Sequence, residues 1–300
     1  MIVLIPVLIV LIGVLLYLYV QNHTFSSMIW ESVDRIAALS TNSTPQRIPL
    51  ESLPEPMQRY LRRVLPADVL ALVESNAPTE AEETEASSFD NGLPLFARMR
   101  HTGVFRMEAG AEALPIAGEQ YYSAVAPAFV WGARLRMNAL LVTRIRDQYI
   151  EGKGSILGKL LAAFPVLHME GARIDTGTLL RYLGEMPLFP TAFLTVEGLQ
   201  WTTVDASRVG VRLVHRDVNV GGEFHFDEQG DIISFHSKER FRGLEGEAPT
   251  PWTGRCGTYV DMDGWRLPST LSAVWHLPEG DFEYGTFTVE HVDYNILHSF

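Results

Sequence analysis

Hydrophobic residues follow two patterns in this chain: a continuous apolar run at the start, and alternating apolar and polar positions from residue 94 onward. The run from Ile2 to Val20 has no charged residue, and its nineteen residues are about what a helix needs to cross the hydrocarbon layer. We predict an uncleaved anchor over residues 1–24. A signal peptide fits less well, because the run is long, lacks a preceding Lys or Arg and is not followed by a small-residue cleavage site.

The segment from Ile174 to Phe193 is the one strongly helical stretch inside the alternating region. Asp175 suits the N-cap, and the prolines after residue 186 end the helix. Because an apolar stripe needs a sheet to cover it, we predict an inner helix over residues 175–186. The stripe consists of Leu179, Leu180, Leu183 and Met186.

Strand-like segments rich in aromatic and branched residues surround this helix, and short turn sequences separate them. Such spacing favours an antiparallel meander. The predicted fold class is α+β, mainly antiparallel β, with a curved sheet or half-barrel wrapped over one or two helices behind a transmembrane helix. Residues 155–164, SILGKLLAAF, are predicted as a second, short helical piece.

The register of one hairpin can be predicted from its apolar positions. We expect Phe226 to pair with Asp231 across the turn. This register places four side chains together on one apolar face, namely Phe224, Phe226, Ile233 and Phe235.

Four regions follow from these patterns. After the anchor, residues 25–73 are expected to form a helical stalk and a docking helix, residues 74–93 an acidic flexible linker, and residues 94–300 the β domain. The docking helix has an apolar face and a basic face, and the basic face is either solvated or a contact for anionic lipid. Its basic residues are Arg59, Arg62 and Arg63.

Charge and cysteine content exclude several functions. A formal net charge of -12 repels phosphate backbones, so nucleic acid is not an expected partner. With Cys256 alone the chain has no internal disulfide, no multi-cysteine zinc site and no iron-sulfur cluster, and we expect no cofactor. The acidic body favours a location outside the cytoplasm for the bulk of the chain.

The common catalytic and phosphate-binding motifs are absent from the sequence. Arg181 and Glu185, four apart on the predicted helix, fit either a surface ion pair or a charged pair facing a cavity. Asp147 and Glu151 fit either exposed strand charges or an acid/base pair. Three histidines are interpreted as scattered surface residues and not as a metal site, namely His215, His225 and His236.

Large rings in or beside the strands either fill the core or line an apolar pocket. Together with the charged pair on the helix they make up the predicted ligand-binding set. Its members are Trp131, Tyr149, Arg181, Tyr182, Glu185, Trp201, Trp252 and Trp275.

Several phrases between residues 50 and 290 resemble a bacterial family of unknown function, whose members typically carry an N-terminal membrane segment. They include LPEPMQRYLRRVLP, EQYYSAVAPAFVW, RDQYIEGKGS and IDTGTLLRYLGEMPLFPTAF. Where the family pattern has a tryptophan after the helix, this chain has Leu188 and Phe189. The expected architecture is also similar in shape to the half-barrel of periplasmic lipoprotein carriers, which implies that a hydrophobic ligand is handled.

Three functions remain open at this point. The first is a membrane-anchored protein that binds a hydrophobic or amphipathic, lipid-like molecule without covalent chemistry. The second is an enzyme that uses carboxylates in a cleft between sheet and helix, and the third is a scaffold for a membrane partner. The membrane contact is assigned to residues 2–20, and the oligomeric state is undetermined by the sequence.

Overall fold

The computed structural model describes residues 4–42, 47–75, 92–243, 248–296 and 298, and one antiparallel sheet of thirteen strands dominates it. The first strands are β1 Phe96–Phe105, β2 Leu114–Ser123, β3 Ala128–Arg136, β4 Val142–Ile150, β5 Lys153–Leu160 and β6 Phe164–Glu170. The later strands are β7 Leu199–Asp205, β8 Arg208–His215, β9 Val218–Phe226, β10 Ile232–Ser237, β11 Trp252–Cys256, β12 Tyr259–Met262, β13 Trp265–Pro268, β14 Thr270–Leu277 and β15 Gly280–Tyr294.

Across the large sheet the strands lie in the order β6, β5, β4, β3, β2, β1, β15, β14, β11, β10, β9, β8 and β7, while β12 and β13 form a separate hairpin. The helices are α1 Leu4–Asn42, α2 Glu55–Val64, α3 Ala67–Glu74, α4 Ala172–Glu185 and α5 Ala192–Thr195. A curved, open antiparallel sheet with few helices confirms the predicted fold class.

Helix α4 lies on the inner face of the sheet, where it contacts β4, β5, β9 and β10. The predicted apolar stripe is fully buried there, including Leu179, Leu180 and Leu183. The helix ends at Glu185, and a single 3-10 turn, Met186–Leu188, follows it. Burial of the stripe against the sheet supplies most of the stability of this helix, as is usual for amphipathic helices.

The predicted N-cap of α4 was wrong. The helix begins at Ala172, after Gly171, whose φ of 105° is left-handed and suits glycine. The Asp175 carboxylate, in the first turn, instead accepts hydrogen bonds from the Gly154 N–H at 2.7 Å and the Lys153 ammonium at 3.1 Å. Although aspartate is a common N-cap residue, Asp175 here connects the helix to β5.

The short helix predicted over residues 155–164 was also wrong. These residues form most of β5, a turn and the start of β6. Leu161 and Ala162 reverse the chain with φ of 53° and 60°, and β5 pairs along its whole length with β4. Pairing with a neighbouring strand outweighed the helical propensity of SILGKLLAAF, which is a weak preference.

The predicted register of the β9–β10 hairpin, which also placed Phe224 opposite Ile233, was wrong by one residue at Phe226 and by two at Phe224. Phe226 lies opposite Ile232 and Phe224 opposite Phe235, with an irregularity between Ile232 and Ser234. Ile232 is therefore buried, and Ile233 is 44% exposed. The displacement arises because Asp231 belongs to the turn, where its N–H donates to the Asp227 carboxylate at 2.8 Å.

Helix α1 is one continuous helix, and only its first part is exposed on all sides. Its apolar part is long enough to cross a membrane, which fits a single-pass anchor or a signal sequence. Residues 25–42 are not a free stalk, because one side of them packs on the outer face of β2, β3 and β4. The buried side consists of Phe25, Ile29, Val33 and Ile36.

Helix α2 packs its apolar face inward, with Met57, Tyr60 and Leu61 fully buried. Its arginines bind acidic side chains: Arg59 binds Glu55, Arg62 binds Glu74, and Arg63 binds Asp231. Most of the predicted acidic linker, residues 76–91, lies outside the described residues.

Gly154 tests the placement of β5 beneath α4. A Cβ at this position would lie 2.7 Å from the Ile174 carbonyl oxygen of the helix, whereas the nearest atom at Gly210 of β8 would be 3.5 Å away. We expect Gly154→Ala to lower the free energy of unfolding by about 1–3 kcal/mol through overpacking. Urea unfolding of the full-length protein in detergent micelles measures this, with Gly210→Ala as the matched control. Equal effects of the two substitutions would contradict the close approach of β5 and α4.

Candidate functional site

A cavity of about 580 Å³ lies between α4 and the inner face of the sheet. Its walls come from strand positions that alternate toward α4, so the same period of two that builds the core also lines this space. Most of the wall is apolar and includes Phe105, Leu114, Leu135, Ile145, Ile156, Leu160 and Phe287.

The floor of the cavity is a buried charged cluster centred on Arg181 of α4. Its guanidinium donates from Nε to Glu185 Oε1 at 2.9 Å, from Nη1 to Asp147 Oδ2 at 2.6 Å and from Nη2 to Gln120 Oε1 at 2.7 Å. The guanidinium carbon also lies 4.8 Å from the centre of the Trp131 ring. Burial alone would lower the pKa of Arg181, but the Glu185 and Asp147 carboxylates raise it above its usual value, so the group stays charged.

Glu185 is held from the sheet side as well. Its Oε2 accepts hydrogen bonds from Gln120 Nε2 at 2.6 Å and from the Tyr122 hydroxyl at 3.2 Å. The helix and two strands thus share one hydrogen-bond network, which is costly to break in a buried place.

Asp147 has one oxygen left over. Its Oδ2 binds Arg181, whereas its Oδ1 is buried and has no hydrogen-bond partner among the described residues. Asp147 belongs to the cavity lining and is only 6% exposed. A buried carboxylate oxygen without a donor is unfavourable, so the Asp147 carboxylate depends on its ion pair with Arg181.

Four members of the predicted ligand-binding set line this cavity: Trp131, Arg181, Glu185 and Trp252. Trp275 lies next to it, in an adjoining pocket, and stacks on Tyr284 with ring centres 5.9 Å apart. The structure therefore brings the charged pair of the helix together with three of the four predicted tryptophans.

The other three members of the set lie away from this cavity. The Tyr149 hydroxyl bonds His215 Nδ1 at 2.9 Å, and the buried Tyr182 hydroxyl donates to the Ser123 carbonyl oxygen at 2.7 Å. Trp201 packs on Phe193, with ring centres 5.9 Å apart. These three rings make structural contacts outside the cavity.

The acid pair considered from the sequence does not come together. Asp147 faces inward to Arg181, but Glu151 follows β4 in a turn, where its half-exposed side chain binds Arg35 at 2.6 Å. Of the three histidines considered, His215 bonds Tyr149, while His225 and His236 lie on another part of the sheet, in β9 and β10.

Sequence reasoning missed Gln120 and His101. Gln120 is fully buried. The sequence feature that could have identified it is its position two residues before Tyr122, which places a polar side chain on the inward face of β2. His101 Nε2 accepts a hydrogen bond from Trp131 Nε1 at 2.7 Å. Burial, and then the nearby Arg181 charge, lower the pKa of His101 to about 4.

Comparison with known proteins places the chain in a family. Residues 88–287 match a family of unknown function, DUF6544. The chain belongs to this family. The part matched to DUF6544 includes α4 and the cavity-lining part of the sheet, and it confirms the expected membership of a family of unknown function. No curated protein matches the chain.

Three solved structures are similar to this DUF6544 chain at low TM-scores. A domain named for outer membrane lipoprotein sorting, from Vibrio parahaemolyticus, has a TM-score of 0.35 and 6% identity, over 68% of this chain and 87% of that one. A DUF1329 family protein from Desulfovibrio piger has a TM-score of 0.31 and 10% identity, over 69% and 88%. A β-barrel-like DUF1849 protein from Brucella abortus has a TM-score of 0.25 and 9% identity, over 68% and 99%.

Arg181→Met tests the floor cluster. It leaves two carboxylates buried without their cation, so we expect a loss of about 3–5 kcal/mol in the free energy of unfolding. Arg35→Met removes an ion pair whose side chains are 50% and 45% exposed, and should cost about 0–1 kcal/mol. Chemical denaturation of the full-length protein in micelles, followed by tryptophan fluorescence, measures both. A loss for Arg181→Met no larger than that for Arg35→Met would show that the cluster is not a buried network.

His101 makes stability depend on pH. Its pKa falls from 6.5 to about 4 on folding, so its contribution is complete above pH 6.5 and is lost as the pH falls from there toward 4. The full contribution is about 3 kcal/mol, since one pKa unit corresponds to about 1.4 kcal/mol. We expect His101→Gln to flatten the acid side of a plot of melting temperature against pH, with the exposed His168→Gln as the control. An unchanged acid side in His101→Gln would refute this assignment.

Proposed function

We propose that the protein is a membrane-anchored binding protein that holds a lipid-like, amphipathic molecule in the cavity beside α4. The observation that carries this proposal is an apolar cavity of about 580 Å³ closed at its floor by one buried charged cluster. Small-molecule sites commonly measure about 300–1,000 Å³ and combine apolar walls with a few fixed polar groups. A dry, filled interface between helix and sheet would instead have favoured a scaffold.

The lining also favours a particular arrangement of the ligand. Its apolar chain fits against the walls formed by residues such as Leu135, Ile145 and Phe287. Its polar end fits the floor, beside the Asp147 and Glu185 side chains of the cavity lining. At the floor the Arg181 guanidinium is already bound by two carboxylates, so a hydroxyl or amine group is favoured there over a carboxylate. Arg240 is a second cation of the lining.

The position of the acids supports binding over catalysis. Asp147 and Glu185 both bind Arg181, and Glu151 lies apart from them. Two carboxylates that form ion pairs with one guanidinium are held in fixed, charged positions. No covalent step is part of the proposal.

The same proposal covers location. Residues 1–24 are assigned as the anchor and residues 94–300 as the binding domain. The bulk of the chain is placed outside the cytoplasm, since few Lys or Arg residues follow the apolar run and the body is acidic.

A photo-crosslinking experiment tests ligand binding. The full-length protein in lipid nanodiscs is exposed to a long-chain alcohol that carries a diazirine, and crosslinked peptides are identified by mass spectrometry. We expect labelling of β3 and β4 peptides, and strong loss of it in Ala273→Phe, because Ala273 lines the cavity and a phenyl ring there fills it. Ala206→Phe, the same change in an exposed turn, is the matched control.

Two controls distinguish loss of the cavity from loss of folding. Melting curves of both variants establish that they are folded, and Ile145→Trp serves as a second cavity-filling change if Ala273→Phe is unstable. Labelling confined to residues 4–20, or equal labelling in the cavity-filling variant and in Ala206→Phe, would exclude the cavity as the binding site.

A further inference from the structure

One end of the sheet carries an unusual group of exposed apolar side chains. Leu140 is 84% exposed, Met107 67%, Val166 59% and Phe164 53%. With Met137 and Leu141 these residues form what we name the apolar rim: Met107, Met137, Leu140, Leu141, Phe164 and Val166. Exposed clusters of this kind mark surfaces that contact a membrane or another protein.

The strand registers place the rim at a single end. Phe105 of β1 pairs with Leu114 of β2, so residues 106–113 form a turn at the end where these strands meet. Arg136 of β3 pairs with Val142 of β4, and Leu160 of β5 pairs with Phe164 of β6. The turns β1–β2, β3–β4 and β5–β6 therefore lie side by side along one edge of the molecule.

Helix α1 leaves the domain at this same end. Asn22 bonds Arg144, Ser32 bonds Gln148 and Arg35 bonds Glu151, so α1 and β4 run in the same direction. The residues before Asn22 therefore continue past the start of β4, toward the β3–β4 turn. Leu15, Leu18 and Tyr19 line a surface pocket together with Val142 and Leu161, which lie beside the rim.

The position of α1 determines how deep the apolar rim lies in the bilayer. A helix needs about 20 residues to cross the hydrocarbon layer, and the apolar run from Ile2 to Val20 has just nineteen. The bilayer therefore extends along the whole run, up to Tyr19. Parts of the domain level with Tyr19 lie within its interfacial layer and not in the water beyond it.

We propose that the apolar rim is a second membrane contact, immersed in the interface of the bilayer that holds the first part of α1. The occupant is a lipid surface because the rim continues the exposed apolar surface of α1. Arg134 and Arg136 are exposed on the outer face of β3 at this end, where they can bind lipid phosphates.

The rim also borders the cavity. Met107, Met137 and Val166 belong both to the rim and to the cavity lining. A lipid chain can thus pass between bilayer and cavity without crossing water. The contact itself requires only the membrane anchor, so it stands or falls separately from ligand binding in the cavity.

Site-directed fluorescence tests the contact. Cys256 is the only cysteine, so Cys256→Ser gives a background in which Leu140→Cys, Ile9→Cys and Val204→Cys each carry one NBD label. The full-length protein is placed in phosphatidylcholine vesicles with some phosphatidylglycerol, with and without a spin-labelled lipid. The spin label is near the headgroup for Leu140 and Val204, and midway along the acyl chain for Ile9, which lies near the bilayer centre. Val204, 43% exposed on the distant edge strand β7, is the matched apolar control, and Ile9 reports the anchor.

We expect NBD at Leu140 to shift to shorter wavelength and to lose a severalfold larger fraction of its emission to the spin label than NBD at Val204. Equal quenching at Leu140 and Val204, with Ile9 quenched, would overturn the rim contact and leave the anchor and the cavity untouched. A blue shift at Leu140 without lipid quenching would assign the rim to a second copy of the chain and overturn the proposal. An unquenched Ile9 would overturn the anchor and the rim together.

Discussion

The structure depends on one buried interaction, in which Arg181 of α4 binds Asp147 of β4 and Gln120 of β2 inside a mainly apolar interior. A guanidinium in such a place is stable only when its partners are fixed in number and direction. The cluster therefore holds α4 at a set distance from the strands. A cavity remains beside the helix because packing the charged floor directly against the apolar walls would be energetically costly.

In the proposed arrangement, helix α1 joins the β domain to the membrane in a rigid way. Its first part is apolar on all sides, and its second part packs Phe25, Ile29 and Val33 on the outer face of the sheet. Because both parts belong to one uninterrupted helix, the tilt of the first part in the bilayer also fixes the orientation of the sheet. In the proposed arrangement, the same helix thus determines which end of the domain lies toward the bilayer.

Much of the fold could be predicted because it follows from local periodicity. The apolar stripe of α4 and the alternation of apolar and polar residues in the strands are visible in the sequence. In the structure, the same apolar positions are buried. The strand β5 could not be predicted because it depends on pairing with β4, and Asp175 was misassigned as the cap because its carboxylate binds Gly154 and Lys153 of β5. The bulge at Ile233 depends on the details of the Asp227–Asp231 turn, which the apolar pattern does not specify. For the site, Arg181 and Glu185 were predicted, but their pairing with Asp147 and Gln120 joins residues more than thirty positions apart and required the topology.

We propose that the space beside α4 holds a lipid-like molecule while the protein is in its membrane. Native mass spectrometry of the full-length chain released from lipid nanodiscs is a direct test. We expect a chain that carries one tightly retained lipid-sized adduct, which survives activation that strips loosely bound lipid. A bare chain under the same activation, with no uptake when lipid is added back, would contradict it.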